Sequence, residues 1–309
     1  MEQKIVNRLP SKTWNWLKVN EAVLDWDNDR TTDLGAGFFA ASGEENEPIR
    51  VEIEGKGEYS YKAVNVTAKA GSRVTVYEIF RAEANLAVET RLTVRENATV
   101  RLIQVQATQP GSVLYNSVTG ECADGGRIEL TQVLVGRGDV YCDSGVELNG
   151  RQSGLKAAIG YLGRESQKLD MNLVVNHWGK NTESEIDASG ALRDEAKKIF
   201  RGTIDFKRGS SDSVGNEKET VLMLGENVVN KTVPLILCAE ENVVGNHGAT
   251  IGEMDDETLF YFESRGVDRE TAENMLARAA IERLAREIGD ERTKRVILSE
   301  LDGETEDDE

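Results

Sequence analysis

From about residue 48 to residue 240, apolar and polar positions alternate with a period of two. Val51-Glu52-Ile53, Val64-Asn65-Val66, Val74-Thr75-Val76, Leu92-Thr93-Val94 and Val100-Arg101-Leu102 belong to this pattern. So do Ile128-Glu129-Leu130, Val133-Leu134-Val135, Ile204-Asp205-Phe206 and Val221-Leu222-Met223. The runs are short and β-branched, and corners of Gly, Asn, Asp or Arg separate them, which is how strands read in sequence. No long helical stripe interrupts them, so the chain is mainly β. Roughly 190 residues of strand pattern exceed an ordinary sandwich. Two architectures remain: a large barrel or sandwich, or a β-helix solenoid of stacked rungs. The lack of a strict sequence repeat counts against a regular solenoid. The lack of Asn-Gly hairpin signals beyond Asn149-Gly150 counts against an up-and-down meander. Periodicity leaves both open.

The period changes near residue 253. Glu257 to Ser264 carries Leu259, Phe260 and Phe262, and Gly266 is placed to end that helix in the left-handed conformation. Asp268 then caps a second helix. Its apolar positions Ala272, Met275, Leu276, Ala279, Leu284 and Ile288 fall on one stripe, with Ile281 off it. Gly289 ends this helix, and Asp290 starts a third through Val296, Ile297 and Leu301. Residues 302–309 are an acidic run expected to be disordered. At the other end Trp14, Trp16 and Trp26 mark an arm, and Ser11 is placed to cap a short helix through Glu21. The tryptophans are expected to dock the arm on the main body, since exposed indole is costly in water; a partner-facing anchor is the alternative. The resulting division is 1–47 arm, 48–252 β core, 253–301 helical module and 302–309 tail.

Composition narrows the function classes. The chain has 309 residues, 39% apolar and 6% aromatic, so its core must be Val, Ile, Leu and Ala. Twenty-nine glycines and four prolines suit a fold of many tight corners. A formal charge of −18 repels phosphate backbones and anionic lipid, which argues against nucleic-acid and membrane-surface binding. Three cysteines, Cys122, Cys142 and Cys238, make no disulfide framework and have no CxxC spacing. The first ten residues lack a signal-peptide core, and no run nears the ~20 apolar residues of a membrane span. The expectation is a soluble cytoplasmic protein.

The candidate chemistry is concentrated near the C-terminus. Cys238 ends the apolar run Leu235-Ile236-Leu237, Glu240-Glu241-Asn242 reads as a corner, and Val243 to His247 is the next extended run. A thiol and one of only two histidines therefore stand nine residues apart. Thiolate and imidazole are ligands for iron and zinc. The bland alternatives are a small buried hydrophobe for Cys238 and a carbonyl-capping side chain for His247. Cys122, Cys142 and His177 read as structural. No Walker loop is present, so the chain itself should bind no nucleotide. No Gly-x-Ser-x-Gly elbow occurs either, and Gly35-Ala36-Gly37 runs into phenylalanines where a dinucleotide fingerprint needs a third glycine.

Two segments in this order, His247-Gly248-Ala249-Thr250-Ile251-Gly252 and Leu259-Phe260-Tyr261-Phe262-Glu263-Ser264-Arg265-Gly266, resemble the C-terminal core of the SufB/SufD family. These are scaffold subunits of the Suf iron–sulfur cluster assembly machine. The resemblance runs from the Trp-rich arm to about residue 300 and is sharpest over 220–290. It implies a right-handed parallel β-helix and so decides between the two architectures. His247 matches the histidine implicated in cluster assembly in SufD-type members. Val228 stands where SufB-type members carry a cysteine, and Gly248 where they carry a glutamate. Cys238 is therefore a ligand suggested by this sequence, not one taken over from the family.

A two-iron cluster needs about four protein ligands, and one chain offers two. A symmetric dimer, or a SufB/SufD-type heterodimer, would complete the set. The resemblance further implies that the C-terminal helices bind SufC, an ABC-type ATPase, through Leu259, Phe260, Phe262, Arg265, Gly266, Met275 and Leu276. The expected function is a compact, SufD-like, non-enzymatic scaffold that holds a transient iron–sulfur cluster. A non-ligating subunit of the same complex is one alternative. A carbohydrate-active solenoid enzyme is another, and it would need an aromatic-lined acidic cleft.

Overall fold

Inward-pointing apolar side chains at every second position let each strand stack on the same face of the strand one turn earlier. The computed structural model describes residues 2–43 and 46–303, and among these the alternation builds eighteen strands and three α-helices. Strands β1 (Glu2–Val6) and β2 (Ala22–Trp26) form an antiparallel hairpin. All later strands pair in parallel and alternate between two eight-stranded sheets. One sheet stacks β3 (Thr31–Ala41), β5 (Tyr59–Ala68), β7 (Asn85–Val94), β9 (Val113–Cys122), β11 (Asp139–Leu148), β13 (Lys168–His177), β15 (Lys197–Phe206) and β17 (Val229–Cys238). The other stacks β4 (Ile49–Glu54), β6 (Arg73–Arg81), β8 (Thr99–Gln106), β10 (Arg127–Leu134), β12 (Gly154–Gly163), β14 (Glu183–Arg193), β16 (Ser213–Leu224) and β18 (Val243–Glu253). The chain thus climbs as a parallel β-solenoid with two strands per turn. The ladder begins at Thr31, inside the stretch that sequence assigns to the arm.

Register produces columns of side chains through the interior. Leu86, Leu114, Val140 and Leu169 stack in one, and Val76, Leu102, Leu130, Ala157 and Ile186 in another facing it. These columns make one continuous apolar core between the sheets. A polar island sits within it. The amide of Gln104 donates to Glu78 at 2.7 Å, Thr90 donates to the same carboxyl, and Gln104 also exchanges hydrogen bonds with Asn116 and Gln132.

Three helices follow: α1 (Asp256–Ser264), α2 (Arg269–Glu287) and α3 (Glu291–Asp302). Asp255, Asp268 and Asp290 cap them by accepting from the amides of Thr258, Thr271 and Thr293. Gly266 follows α1 with φ +79°, the left-handed stop its sequence position predicts. Helices α2 and α3 lie on the outer face of the even-numbered sheet, burying Ala277, Ile281, Ala285, Ile288, Val296, Ile297 and Leu301 against Tyr77, Ile79, Ile103, Val105, Val133 and Leu162. Strands under the helices are apolar on both faces, which is why Val133-Leu134-Val135 does not alternate. Gly160 leaves the space that Leu284 fills, since a Cβ there would sit 2.6 Å from Leu284 Cδ1. The helical stripe differs from the sequence reading. Ile281 is fully buried at its centre, whereas Met275 and Ala279 face out, because the seat on the sheet follows the 277/281/284/285/288 line.

The arm packs on the opposite, odd-numbered sheet, where Val6, Ala22, Leu24 and Trp26 meet Tyr59, Ala87 and Tyr141. Two buried side chains fasten it. Arg201 donates to the carbonyl of Val19 and to Asp170, and Asn7 donates to Asp170 Oδ1 at 2.6 Å. Residues 11–21 form one 3-10 turn, Asn15–Leu17, where sequence suggests a longer helix. The side chain of Asn20 bonds to Thr13 and Asn15 and holds this segment as a loop. Trp26 docks as expected, but Trp14 and Trp16 are 72% and 73% exposed and stack on each other. The acidic tail from residue 304 lies outside the described residues.

Candidate functional site: the terminal rung

Strands β17 and β18 are the last members of their sheets, and among the described residues each leaves one edge without a partner strand. The two ends of the solenoid treat this differently. At the first rung β4 is only six residues long and carries Arg50, Glu52 and Glu54, while a register shift between Asp33 and Ala36 bends β3. Short, charged or bulged edges resist pairing with another chain. At the last rung β18 runs from Val243 to Gly252 without a charged side chain, and almost all of it is exposed. An uncharged open edge of this length is a template for strand addition. On β17, Lys231 and Pro234 make pairing harder.

The interior columns change character on reaching this end. The column through Ile186 continues as Glu217 and then His247. The column through Leu169 continues as Lys198 and then Asn230. Polar groups, ionisable in Glu217, His247 and Lys198, thus replace aliphatic ones over the final two rungs. Lys198 and Glu219 form an ion pair with both side chains fully buried. Thr232 donates to Glu219 Oε2 at 2.6 Å, and the Tyr161 hydroxyl donates to Oε1 at 3.2 Å. Burial lowers the Lys198 pKa, although Glu219 opposes the shift, and burial raises that of Tyr161. Glu217 is buried, and desolvation raises its carboxyl to about 7, with Glu219 adding to the rise. Its carboxyl rests against Gly202, where a Cβ would fall 2.2 Å from Oε1. Glu217 Oε2 has no hydrogen-bond partner among the described residues.

Cys238 and His247 both lie on the last rung. Cys238 is in register with inward-facing Phe206, is exposed, and donates its thiol proton to the carbonyl of Glu240 at 2.9 Å. His247 is in register with Glu217, is exposed, and makes no hydrogen bond among the described residues. Across the lumen, Gly202 faces Glu217 and Gly245 faces Ile236. By that correspondence His247 stands opposite Pro234, four residues back from Cys238 along β17. At about 3.3 Å per residue the two are separated by about 13 Å along the rung. They share a rung and a face, but they do not form one pair of adjacent donors. Among the described residues no group of three or more Cys, His, Asp or Glu is arranged to hold a metal ion.

The remaining candidates read clearly. Cys122 and Cys142 are buried, and burial pushes both thiols up to about 12. His177 is buried, with ring nitrogens 2.8 Å from Thr182 Oγ1 and 2.9 Å from Ser184 Oγ, and burial lowers it to about 4. In the helical module Leu259 is buried and Phe262 and Leu276 are half-buried, whereas Phe260 and Met275 are 71% and 54% exposed. Arg265 is exposed and stacks over Tyr261, and Gly266 is exposed beside it. A groove of about 660 Å³ on the outer face of β10 to β16 mixes Arg127, Lys156 and Lys218 with Glu129, Glu183 and Glu185, and no aromatic side chain lines it. Sequence reading missed Glu217, Glu219 and Lys198. The signal was there in Gly215-Asn216-Glu217-Lys218-Glu219-Thr220-Val221, a strand with carboxylates on its apolar phase, but which phase faces inward emerges only from the register.

Residues 51–280 match the family model described as SUF system FeS cluster assembly, SufBD core domain. The chain is 26% identical over 208 residues to the iron–sulfur cluster assembly protein SufD of Bacillus subtilis (strain 168), covering 67% of this chain and 48% of that protein. It is 24% identical over 168 residues to SufD of Escherichia coli (strain K12), covering 54% and 40%. A chloroplastic SufBD family protein of Arabidopsis thaliana is 28% identical over 162 residues, covering 52% of this chain and 29% of its own length. The chain thus spans about half or less of the length of these relatives. A family match that takes in the rungs from β4 to β18 and most of α2 places this chain in the SufBD core family of iron–sulfur cluster assembly proteins.

Proposed function

We propose that this chain is a scaffold subunit for iron–sulfur cluster assembly, and that its terminal rung is where a second subunit joins and the cluster is built. The observation that carries this is the open, uncharged β18 with His247 at its centre, set above a buried layer of ionisable side chains. A second copy, or a SufB-type subunit, adds its own last strand to this edge. His247 and Cys238 then each supply a donor to iron, which is the cargo and not a resident cofactor. Their separation along the rung favours ligation in which each donor teams with groups from the partner subunit. Thiolate and imidazole suit iron and sulfide chemistry. The exposed faces of α1 and of the first half of α2, with Phe260, Tyr261 and Met275, support docking of an ABC-type ATPase such as SufC. The reducing cytosol is the compartment in which Cys238 stays a free thiol.

Anaerobic reconstitution of the full chain with ferrous iron and sulfide, alone and with a SufC-type ATPase, tests the reading. Sulfide-to-iron absorption in the visible and a dimeric mass are expected, with both reduced in His247→Ala. If His247→Ala and Cys238→Ala both assemble clusters as the parent does, the chain is a non-ligating subunit of the complex.

A further inference from the structure

We propose that Glu217 is the positioning residue for the His247 imidazole, accepting one ring N–H so that the other nitrogen faces the cluster-building edge. This rests on His247 being the cluster-facing donor.

Glu217 has two register neighbours, Ile186 below and His247 above, so His247 is the only one able to donate a hydrogen bond. Adjacent strands lie about 4.8 Å apart, and in-register side chains share a face. A carboxyl and an imidazole so placed reach each other through side-chain rotation alone. The carboxyl also has an opening for a donor: it is buried, and its Oε2 has no partner among the described residues. Buried acceptors are rarely left unmet in native proteins. The other nearby donors are directed at Glu219: the Lys198 ammonium binds it and Thr232, the Thr232 hydroxyl donates to it, and the Tyr161 hydroxyl points at it. On the far side Gly202 presents no side chain, and its missing Cβ is what gives the carboxyl room. His247 completes the complementarity, because its imidazole is exposed and without a hydrogen bond among the described residues.

The chemistry gives this pairing a purpose. A free imidazole exchanges between two tautomers and swings about its side-chain torsions. A carboxylate on one ring N–H fixes the tautomer, aims the opposite nitrogen and raises its basicity as a metal donor. Glu217 is itself buried, so it is suited to orient a side chain on an otherwise uncovered rung.

The chain has only two histidines, which makes the test direct. Selective ¹⁵N-histidine labelling of the full chain, without iron, gives two imidazoles to assign. His177, locked between Thr182 and Ser184, is the internal reference. At a pH where both rings are neutral, the two His247 nitrogens should separate into one protonated and one bare resonance. In Glu217→Gln they should shift toward the averaged values of a freely exchanging ring, while His177 stays fixed. An unsplit, averaged His247 in the parent overturns the proposal without recourse to any variant, and so does a spectrum that Glu217→Gln leaves unchanged. Because no cluster is involved, these outcomes are separate from the reconstitution result. A His247→Ala chain that assembles clusters normally would remove the ligand role and leave the measured contact standing.

Discussion

Asp170→Ala should open the arm and leave the solenoid folded. The Arg201 guanidinium is fully buried, 2.6 Å from Asp170 Oδ1, and also donates to the Val19 carbonyl. The same carboxylate accepts from Asn7, and the backbone carbonyl of Asp170 accepts from Asn7 at 2.8 Å. Removing one member of a buried pair costs about 3–5 kcal/mol, because the other charge stays in the interior uncompensated. Guanidinium does not relieve this by deprotonating. The arm has little margin to absorb such a loss. Its anchors Val6, Leu24 and Trp26 each contribute about 1.5–3 kcal/mol of burial, but each ordered residue costs about 1–2 kcal/mol of backbone entropy. The cheapest response is therefore local undocking that lets water reach Arg201.

Hydrogen exchange read by mass spectrometry resolves this segment by segment. Amides of β1 and β2 should exchange faster in Asp170→Ala by about two to three and a half decades, which is the 3–5 kcal/mol converted at about 1.4 kcal/mol per decade. Amides of β9 to β13 should keep their parent protection. Pairing Asp170→Leu with Arg201→Met removes both charges and should restore most of the arm's protection. If that double variant exchanges as fast as Asp170→Ala, the buried charge is not the cause. If Asp170→Ala exchanges like the parent, this ion pair does not hold the arm.

Three further outcomes follow from burial. Trp26→Ala should release the arm and speed amide exchange in β1 and β2 while the solenoid keeps its protection, whereas Trp14→Ala and Trp16→Ala, on exposed rings, should change stability by no more than about 0.5 kcal/mol. Iodoacetamide under native conditions should modify Cys238 alone, with Cys122 and Cys142 protected by burial and by thiols pushed to about 12, as peptide mass spectrometry would show. Glu78 is fully buried and desolvation raises it from 4.5 to about 7, so its neutral form is the one the fold prefers. The folded state then holds a proton that the unfolded state loses; the stabilisation is complete below pH 4.5 and disappears as pH rises through about 7. Glu78→Gln should therefore raise stability at pH 8 relative to the parent by up to about 3 kcal/mol and change it little at pH 4, measured by urea midpoints at the two values.

Much of the fold was legible because strand stacking writes its period directly into sequence. Val64-Asn65-Val66 and Val100-Arg101-Leu102 alternate because one face meets the lumen and the other water. The solenoid itself was not legible from periodicity, since its repeat resides in register and not in residue identity. Leu114, Val140 and Leu169 fill equivalent places with no common motif around them. The Ser11–Glu21 helix failed because Asn20 competes for local hydrogen bonds and holds a loop. The pairing of Cys238 with His247 was a statement about a corner whose geometry sequence does not encode. Glu217 was missed for a different reason: the strand that carries it and Glu219 has carboxylates on its apolar phase, but only the register shows that this phase faces inward.

The two ends of the solenoid give the argument its direction. Every inner rung of a stacked fold is completed by its neighbours, so unmet demands collect at the ends. At the first rung they are blunted by charge, shortness and a bulge. At the last rung they are displayed. Both side-chain polar atoms of half-buried Asn230 join Glu217 Oε2 in having no partner among the described residues; Glu217 stands directly above Ile186, and Asn230 two rungs above Leu169 with Lys198 between. Burying unpaired polar atoms is destabilising, and at this site aliphatic replacements already exist one or two rungs away in Ile186 and Leu169. A sequence under pressure for stability alone would extend those aliphatic columns to the end. Carboxyl, amide and imidazole instead stand on the last two rungs, as the function proposed above requires of a surface that another molecule completes, and this makes Glu217→Ile a discriminating variant: more stable as an isolated chain in urea, and poorer at assembling a cluster.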